Sequence, residues 1–350
     1  MKRIFPLLGA CLLVFGCSRS GSPRYKAISL DEAQLLSGTV LGEPIRVSGV
    51  VDQRVIGDYI VMVCLHPEYR CILLDKQGKI VSEFCPVGKG PGEAVVVMSV
   101  ESGERAGEIC VYDPQMQKQL FFSLDSLVGG SSYAFRGEKS RQESGDVPMN
   151  QVWNLRRVES GLLFVGGNGI ISSQRPERFV LTDRTGKPIG RFGDVPPGED
   201  TIAMKVAFMQ SHLTVSPDGT KLADGSSFGA ILETFDLGDS IRLRSRAYFI
   251  EPDFPHDEVG RVTAFDRLTF GFGAMASSDD RIYAVYNGTS DAKAMCHVAV
   301  FDWDGRLERL YRTQGRVAAL CVDPDSENLL YATVADDAGE FRLVRFDLPE

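Results

Sequence analysis

The chain has 350 residues, 43% of them hydrophobic, and a formal net charge of -9 at neutral pH. That apolar share suffices for one large core, and a single all-β domain of such length is ordinary. The negative balance excludes a nucleic-acid binder, which needs a basic face, and without a long acidic run it reads as solubility charge.

Lys2 and Arg3 precede an apolar run, Ile4 to Phe15, of twelve residues. A membrane-spanning helix needs about 20, so the run has the length of a signal peptide. Val14-Phe15-Gly16-Cys17 then reads as a lipobox. Leu8-Gly9-Ala10-Cys11 matches the letters better but leaves too short an apolar run before it. An ordinary secretory signal and a retained anchor are the competing readings. The expected division is a signal peptide over 1–16, a lipidated tether over 17–28 attached through Cys17, and one folded domain over 29–350. Removing Lys2 and Arg3 takes the charge from -9 to -11. Ser29 and Glu32 have capping-box spacing and Gly38 can end a helix, which predicts a short helix over 30–36.

From residue 59 the chain repeats. An apolar strand ending in aspartate recurs at Asp75, Asp125, Asp183, Asp236, Asp302 and Asp347, at intervals of 50, 58, 53, 66 and 45 residues. Gly78, Gly186 and Gly305 stand three residues after their aspartates, the chemistry of a tight turn. Each copy has a strand before it, as in Tyr59 to Val63 and Ile282 to Tyr286. Most have a further upstream strand closed by a turn such as Ser102-Gly103, Ser160-Gly161 or Asp218-Gly219. Four short strands per unit in six units predict an all-β fold, a six-bladed β-propeller of four-stranded antiparallel blades with a short N-terminal helix. The last unit stops after its third strand, and Thr39-Val40-Leu41 is expected to supply the fourth, which removes an exposed edge.

Six cysteines lie in the domain: Cys64, Cys71, Cys85, Cys110, Cys296 and Cys321. None forms a CxxC pair, so a zinc ribbon is excluded. Cys64 and Cys71 flank a short hairpin, and export permits a disulfide between them. Otherwise these thiols act as small buried apolar groups.

Phe84-Cys-Pro-Val-Gly-Lys-Gly-Pro-Gly-Glu93 follows the first strand, Asp-x-x-Gly turn and strand. This stretch resembles the TolB-like six-bladed propeller lipoproteins of Bacteroidetes, which often carry (I/V)-G-(K/R)-G-P-G-E after the first blade. Val195-Pro-Pro-Gly-Glu199 echoes it. The resemblance implies a six-bladed fold and an envelope lipoprotein, and no established activity. Surface-exported lipoproteins of that group often have acidic residues after the lipidated cysteine. Ser18-Arg19-Ser20-Gly21 has none, which implies an outer-membrane lipoprotein on the periplasmic side. Asp125-Ser-Leu, Asp200-Thr-Ile and Asp239-Ser-Ile resemble that phylum's O-glycosylation triplets.

Alternating strand direction sends every second-to-third-strand loop and every blade-to-blade loop to one face. The long segments 88–93, 136–151, 166–177, 193–205, 251–267 and 287–297 are therefore expected together at one mouth of the channel, where binding usually sits. The candidate ligand residues are Lys89, Gly90, Gly92, Glu93, Glu199, Asp253, His256 and Asp257. The glycines offer an anion cradle or a plain inter-blade turn. The 251–258 segment offers a cation loop, an acid/base pair or a solvated acidic loop. His66, His212 and His297 are scattered, and Trp153, Phe265, Phe270 and Phe272 could line a sugar surface or pack blades. Asn287-Gly-Thr fits a glycosylation acceptor in letters only. No hydrolase, zincin or dinucleotide motif is present. The expected function is a membrane-anchored, non-enzymatic binding or scaffold propeller for a protein, peptide or glycan. The alternative is a propeller hydrolase or lyase with an axial carboxylate or metal site. No cofactor is expected, and a divalent cation has no motif behind it.

Overall fold

The computed structural model describes residues 23–131, 133–140, 152–166, 177–184, 187–209, 211–238 and 240–349. The chain forms the expected propeller: six four-stranded blades, each antiparallel, succeed one another round a ring. Blades 1 to 5 span residues 49–86, 99–140, 152–192, 212–250 and 272–312, and blade 6 takes three strands from 316–347. Its outer strand is Thr39–Ile45, paired antiparallel with Phe341–Asp347, Thr39 opposite Arg345 and Leu41 opposite Leu343. The ring thus closes through the segment that the sequence predicts.

Stacked blades explain why their middle strands are apolar on both faces. In Tyr59–Leu65, Val61 and Val63 pack toward blade 2, while Ile60, Met62 and Cys64 pack toward blade 6. Each middle strand serves two interfaces, so its hydrophobic run is continuous rather than alternating. The same alternation puts Cys71 on the blade 2 side and Cys64 on the blade 6 side. The expected 64–71 disulfide is therefore absent, and all six cysteines are free.

The Asp-Gly turns have a common mechanism. Oδ1 of Asp75 accepts from the amides of Gln77 and Lys79, and Gly78 takes a φ of 85°. Asp302 accepts from Arg306 across the equivalent turn, where Gly305 has a φ of 76°. Gly186 lies outside the described residues. Gly78 also meets Gly42 of the closing strand backbone to backbone, and a Cβ on Gly78 would stand 2.6 Å from the Leu41 carbonyl carbon. Lys76 reaches Asp323 of blade 6 at 2.8 Å across the same seam.

The N-terminal helix expected over 30–36 is reduced to one 3-10 turn, Leu30–Glu32, with no side-chain cap from Ser29. Gln34 and Leu35 instead pair parallel with Tyr311 and Arg312 on the outer edge of blade 5. A two-turn helix is marginal alone, whereas the open edge offers backbone partners and a pocket for Leu36, which is 4% exposed beside Tyr311. Among the described residues two short helices lie in connections: α1, Leu124–Val128, and α2, Thr201–Ala207. No described helix is long and apolar enough to cross a membrane.

Candidate functional site: the axial mouth

The inner strands line the axial channel, and their sequences supply its charge. Asp52 in blade 1, Glu101 in blade 2 and Arg156 in blade 3 converge, with Arg156 at 2.7 Å from Asp52 and 3.1 Å from Glu101. Arg54 adds a second guanidinium 3.0 Å from Glu101. Asp52 also accepts from the Val100 amide. Burial opposes its charge, but Arg156 and Arg54 outweigh it and hold the Asp52 carboxyl below the usual range. Beside it, His212 of blade 4 is exposed along the channel wall; desolvation among the crowded inner strands, then the charge of Arg156, lower its pKa to about 4, so its imidazole is neutral at neutral pH. On the far side Thr214 and Ser277 hydroxyls meet at 2.9 Å. A small cavity of about 50 Å³ lies among Asp52, Arg156 and His212.

Toward the face of the first-to-second-strand turns the channel widens into a cavity of about 570 Å³. Every blade contributes: Arg54, Glu101, Glu159, Asp218, Asp279 and Asp280, and Asp323 with Glu327. The inner carboxylates are occupied. Asp323 holds Lys76, and Asp218 is drawn below the usual range mainly by the Ser216 hydroxyl and the Thr220 amide, against its burial. The rim carboxylates of Glu159, Asp279 and Asp280 are exposed to solvent. The mouth is therefore an acid-rimmed bowl over a floor of neutralised ion pairs. Fields from such a rim favour cationic groups. Among the described residues no three His, Cys, Asp or Glu side chains stand close enough together to hold a metal ion.

The sequence directed attention to the opposite face. Strand order does send the described parts of five of the long segments there; the described residues of 136–151 instead form the outer strand of blade 2, Phe135–Ser140, and 141–151 and 167–176 lie outside the described residues. None of the eight candidate residues lines either axial cavity. The glycine loop is filled by its own carboxylate: Glu93 accepts from the Gly90 amide at 2.8 Å, and a Cβ on Gly88 would fall 2.0 Å from Glu93 Oε2. Lys118 donates to the Gly90 carbonyl, Lys89 is exposed, and Gly92, at a φ of 75°, rests on Phe135 rather than approaching the axis. The cradle thus has its anion built in.

Glu199, Asp253, His256 and Asp257 lie on the blade 3–4 and blade 4–5 connections, whereas Lys89 lies on the blade 1–2 connection. His256 Nε2 lies 2.8 Å from Asp200, whose other oxygen caps α2. The Asp257 carbonyl, then Asp200, raise the His256 pKa. Asp257 Oδ1 accepts from Val259 and Arg261, with Gly260 at a φ of 80°, the same turn chemistry as Asp75. Burial, then Glu199 and Asp253, push Glu251 up. These groups fold the loop, and Asp257 is used by its turn. His66 stacks on Tyr69, and His297 is buried beside Cys296, so the histidines do not converge. Phe272 is buried and Phe265 exposed, which dissolves the proposed aromatic surface; the Trp153 side chain is outside the described set. Asn287 caps its own loop by accepting from Thr289. In the glycosylation triplets Ser126 bonds Ser123, Thr201 is exposed, and Asp239 is not described.

The axial mouth is absent from the sequence candidates although its signal is in the repeat. Glu101-Ser-Gly, Glu159-Ser-Gly, Asp218-Gly, Asp279-Asp280 and Asp323-Pro place an acid at the end of successive inner strands. Read only as turn markers, these residues counted blades; read as a ring, they mark the mouth.

A family described as TolB-like 6-blade propeller-like has a model that matches residues 68–325. Among solved structures, a Bacteroides fragilis protein described as exported aligns with a TM-score of 0.62 at 14% identity, covering 92% of this chain and 97% of that one. A Xanthomonas campestris gluconolactonase aligns at 0.55 and 15% identity, covering 94% and 96%. Hydrazine synthase of Kuenenia stuttgartiensis aligns at 0.51 and 11%, covering 88% and 98%. At these identities the likeness is one of fold alone. No curated protein matches the chain.

Proposed function

Because this chain belongs to the TolB-like 6-blade propeller-like family, we propose that it is a binding propeller of the cell envelope, anchored through lipid on Cys17, that takes a cationic ligand in its axial mouth. The observation that carries this reading is the bowl of about 570 Å³ to which all six blades contribute, rimmed by Glu159, Asp279 and Asp280. A rigid concave site with convergent polar groups is where a ligand binds. Inside it the charged side chains are drawn pairwise onto one another, Arg156 on Asp52 and Arg54 on Glu101, which suits recognition better than proton transfer. A lysine-rich segment of a partner protein or peptide has the matching chemistry.

The test is a titration of the intact protein with a lysine-rich peptide and with a glutamate-rich one. The lysine peptide should bind, weaken as salt rises, and lose affinity about tenfold or more when Glu159→Gln, Asp279→Asn and Asp280→Asn are combined. These residues are exposed, so the fold should survive. Equal binding of both peptides, or unchanged affinity in the triple variant, would refute the reading.

A further inference from the structure

We propose that the 251–267 loop is a membrane-contact element, in which Val259 and Phe265 rest in the interface of the bilayer that holds the lipid on Cys17, turning the axial mouth away from the membrane. The inference rests on the lipid-anchor reading above.

The tether fixes which surface meets the bilayer. The first described residues run along blade 4: the Lys26 amide donates to the Tyr248 carbonyl, and Tyr25 packs edge-on to Tyr248 at 5.4 Å. Tyr248 stands three residues before Glu251, so its contact with Tyr25 lies beside the start of the loop; burial first, then Glu251, push the Tyr25 hydroxyl up to about 12. Tyr25 shares its apolar cluster with Phe228, and Phe228 packs on Phe254 at 5.8 Å and on Phe270 at 5.9 Å. Cys17 lies six residues before Pro23, a reach of about 20 Å at full extension. The lipid therefore enters the membrane within a short distance of this corner, on the face opposite the mouth.

The loop is built to project. Phe254, at 5% exposure, and Leu268, at 0%, anchor its ends, and His256 ties it to Asp200. Between them the Asp257–Arg261 turn holds Val259 at 57% exposure, and the Phe265–Arg267 turn holds Phe265 at 70%. Single exposed apolar side chains are ordinary on a surface; what singles out Val259 and Phe265 is their place on the loop beside the tether. At the tip Glu258 and Asp266 balance Arg261 and Arg267, while Glu251, Asp253 and Asp257 leave the loop as a whole acidic, so the contact rests on apolar insertion and gains nothing from anionic headgroups. Tethering supplies the effective concentration, and the loop needs only to set the orientation.

Hydrogen exchange tests this on the full lipidated protein in phosphatidylethanolamine–phosphatidylglycerol vesicles. Amides of 258–267 should exchange about tenfold more slowly than in the soluble Cys17→Ala protein, while those around Asp218 and Asp279 stay unchanged. Val259→Asp combined with Phe265→Asp should abolish the protection without releasing the protein from vesicles. Lipidated, vesicle-bound protein with unchanged exchange at 258–267 would overturn the proposal. So would protection that rises with protein concentration in the absence of vesicles, which would make the occupant a second copy of the chain. A mass without lipid on Cys17 would instead overturn the anchor reading itself.

Discussion

Arg178→Ala is expected to cost about 3–5 kcal/mol of stability, the usual loss when one member of a buried ion pair is removed. The Arg178 side chain is 1% exposed and reaches both Asp224 and Glu233, which have no exposure at all. Its Nε donates to the Gly193 carbonyl at 2.9 Å, and its guanidinium lies over the Phe208 ring at 4.2 Å. Arg246 neutralises Glu233 from the other side at 2.6 Å, but among the described residues no second cation pairs with Asp224, which has only the Ser211 side chain besides Arg178. The loss should depend on pH with a defined sign. Burial pushes the Asp224 carboxyl up to about 6 from 3.8, although Arg178 pulls it down. A carboxyl raised on folding favours the folded state at acid pH, and that advantage fades as pH rises through the folded value. Without Arg178 the carboxyl rises further, so the gap between variant and parent should be largest at neutral pH and shrink toward pH 4. Urea unfolding at several pH values measures both. Arg342→Ala, which breaks an exposed pair with Glu340 at 3.2 Å, should cost under about 1 kcal/mol as the comparison. An Arg178→Ala loss no larger than that one would refute the account of the blade 3–blade 4 seam.

Deleting residues 25–44 is expected to abolish a soluble, cooperatively folded domain. The deletion removes the closing strand from Phe341–Asp347, the parallel pair at Gln34 and Leu35, and the buried side chains of Ile28 and Leu36. Burying one such side chain is worth about 1.5–3 kcal/mol, so two of them plus a strand ladder approach the whole net stability of a domain, about 5–15 kcal/mol. It also exposes the edge of Phe341–Asp347, a template for aggregation. Gly42 and Gly78 would lose their contact, which loosens the seam between the last blade and the first. Size exclusion and thermal melting decide the matter: a monomeric truncation with one sharp transition would contradict closure through Thr39–Ile45.

The fold was legible because propeller physics repeats. Continuous apolar middle strands, Asp-Gly turns and the missing fourth strand of the last unit each follow from local chemistry, and their order along the chain fixed the blade count. The N-terminal helix was not legible, because a capping-box spacing is a local signal and the open edge of blade 5 is a tertiary one. The candidate loops read differently in the fold for a related reason. Glycines and clustered carboxylates look like ligand groups until the fold shows Glu93 filling its own loop and Asp257 closing its own turn. Loop length pointed to one face, while the open volume depends on how six inner strands splay, which no single stretch of sequence records. The Arg178 network was invisible for the same reason, since its members come from residues 178, 224, 233 and 246 and meet only across two blades.

The central claim is that the axial mouth holds the ligand. A crystal structure of the protein with the lysine-rich peptide tests it most directly. The account predicts peptide in the bowl, with a lysine ammonium within hydrogen-bond distance of Glu159, Asp279 or Asp280. Peptide bound instead on the long-loop face, against Glu199 and Asp253, with the bowl empty, would contradict it.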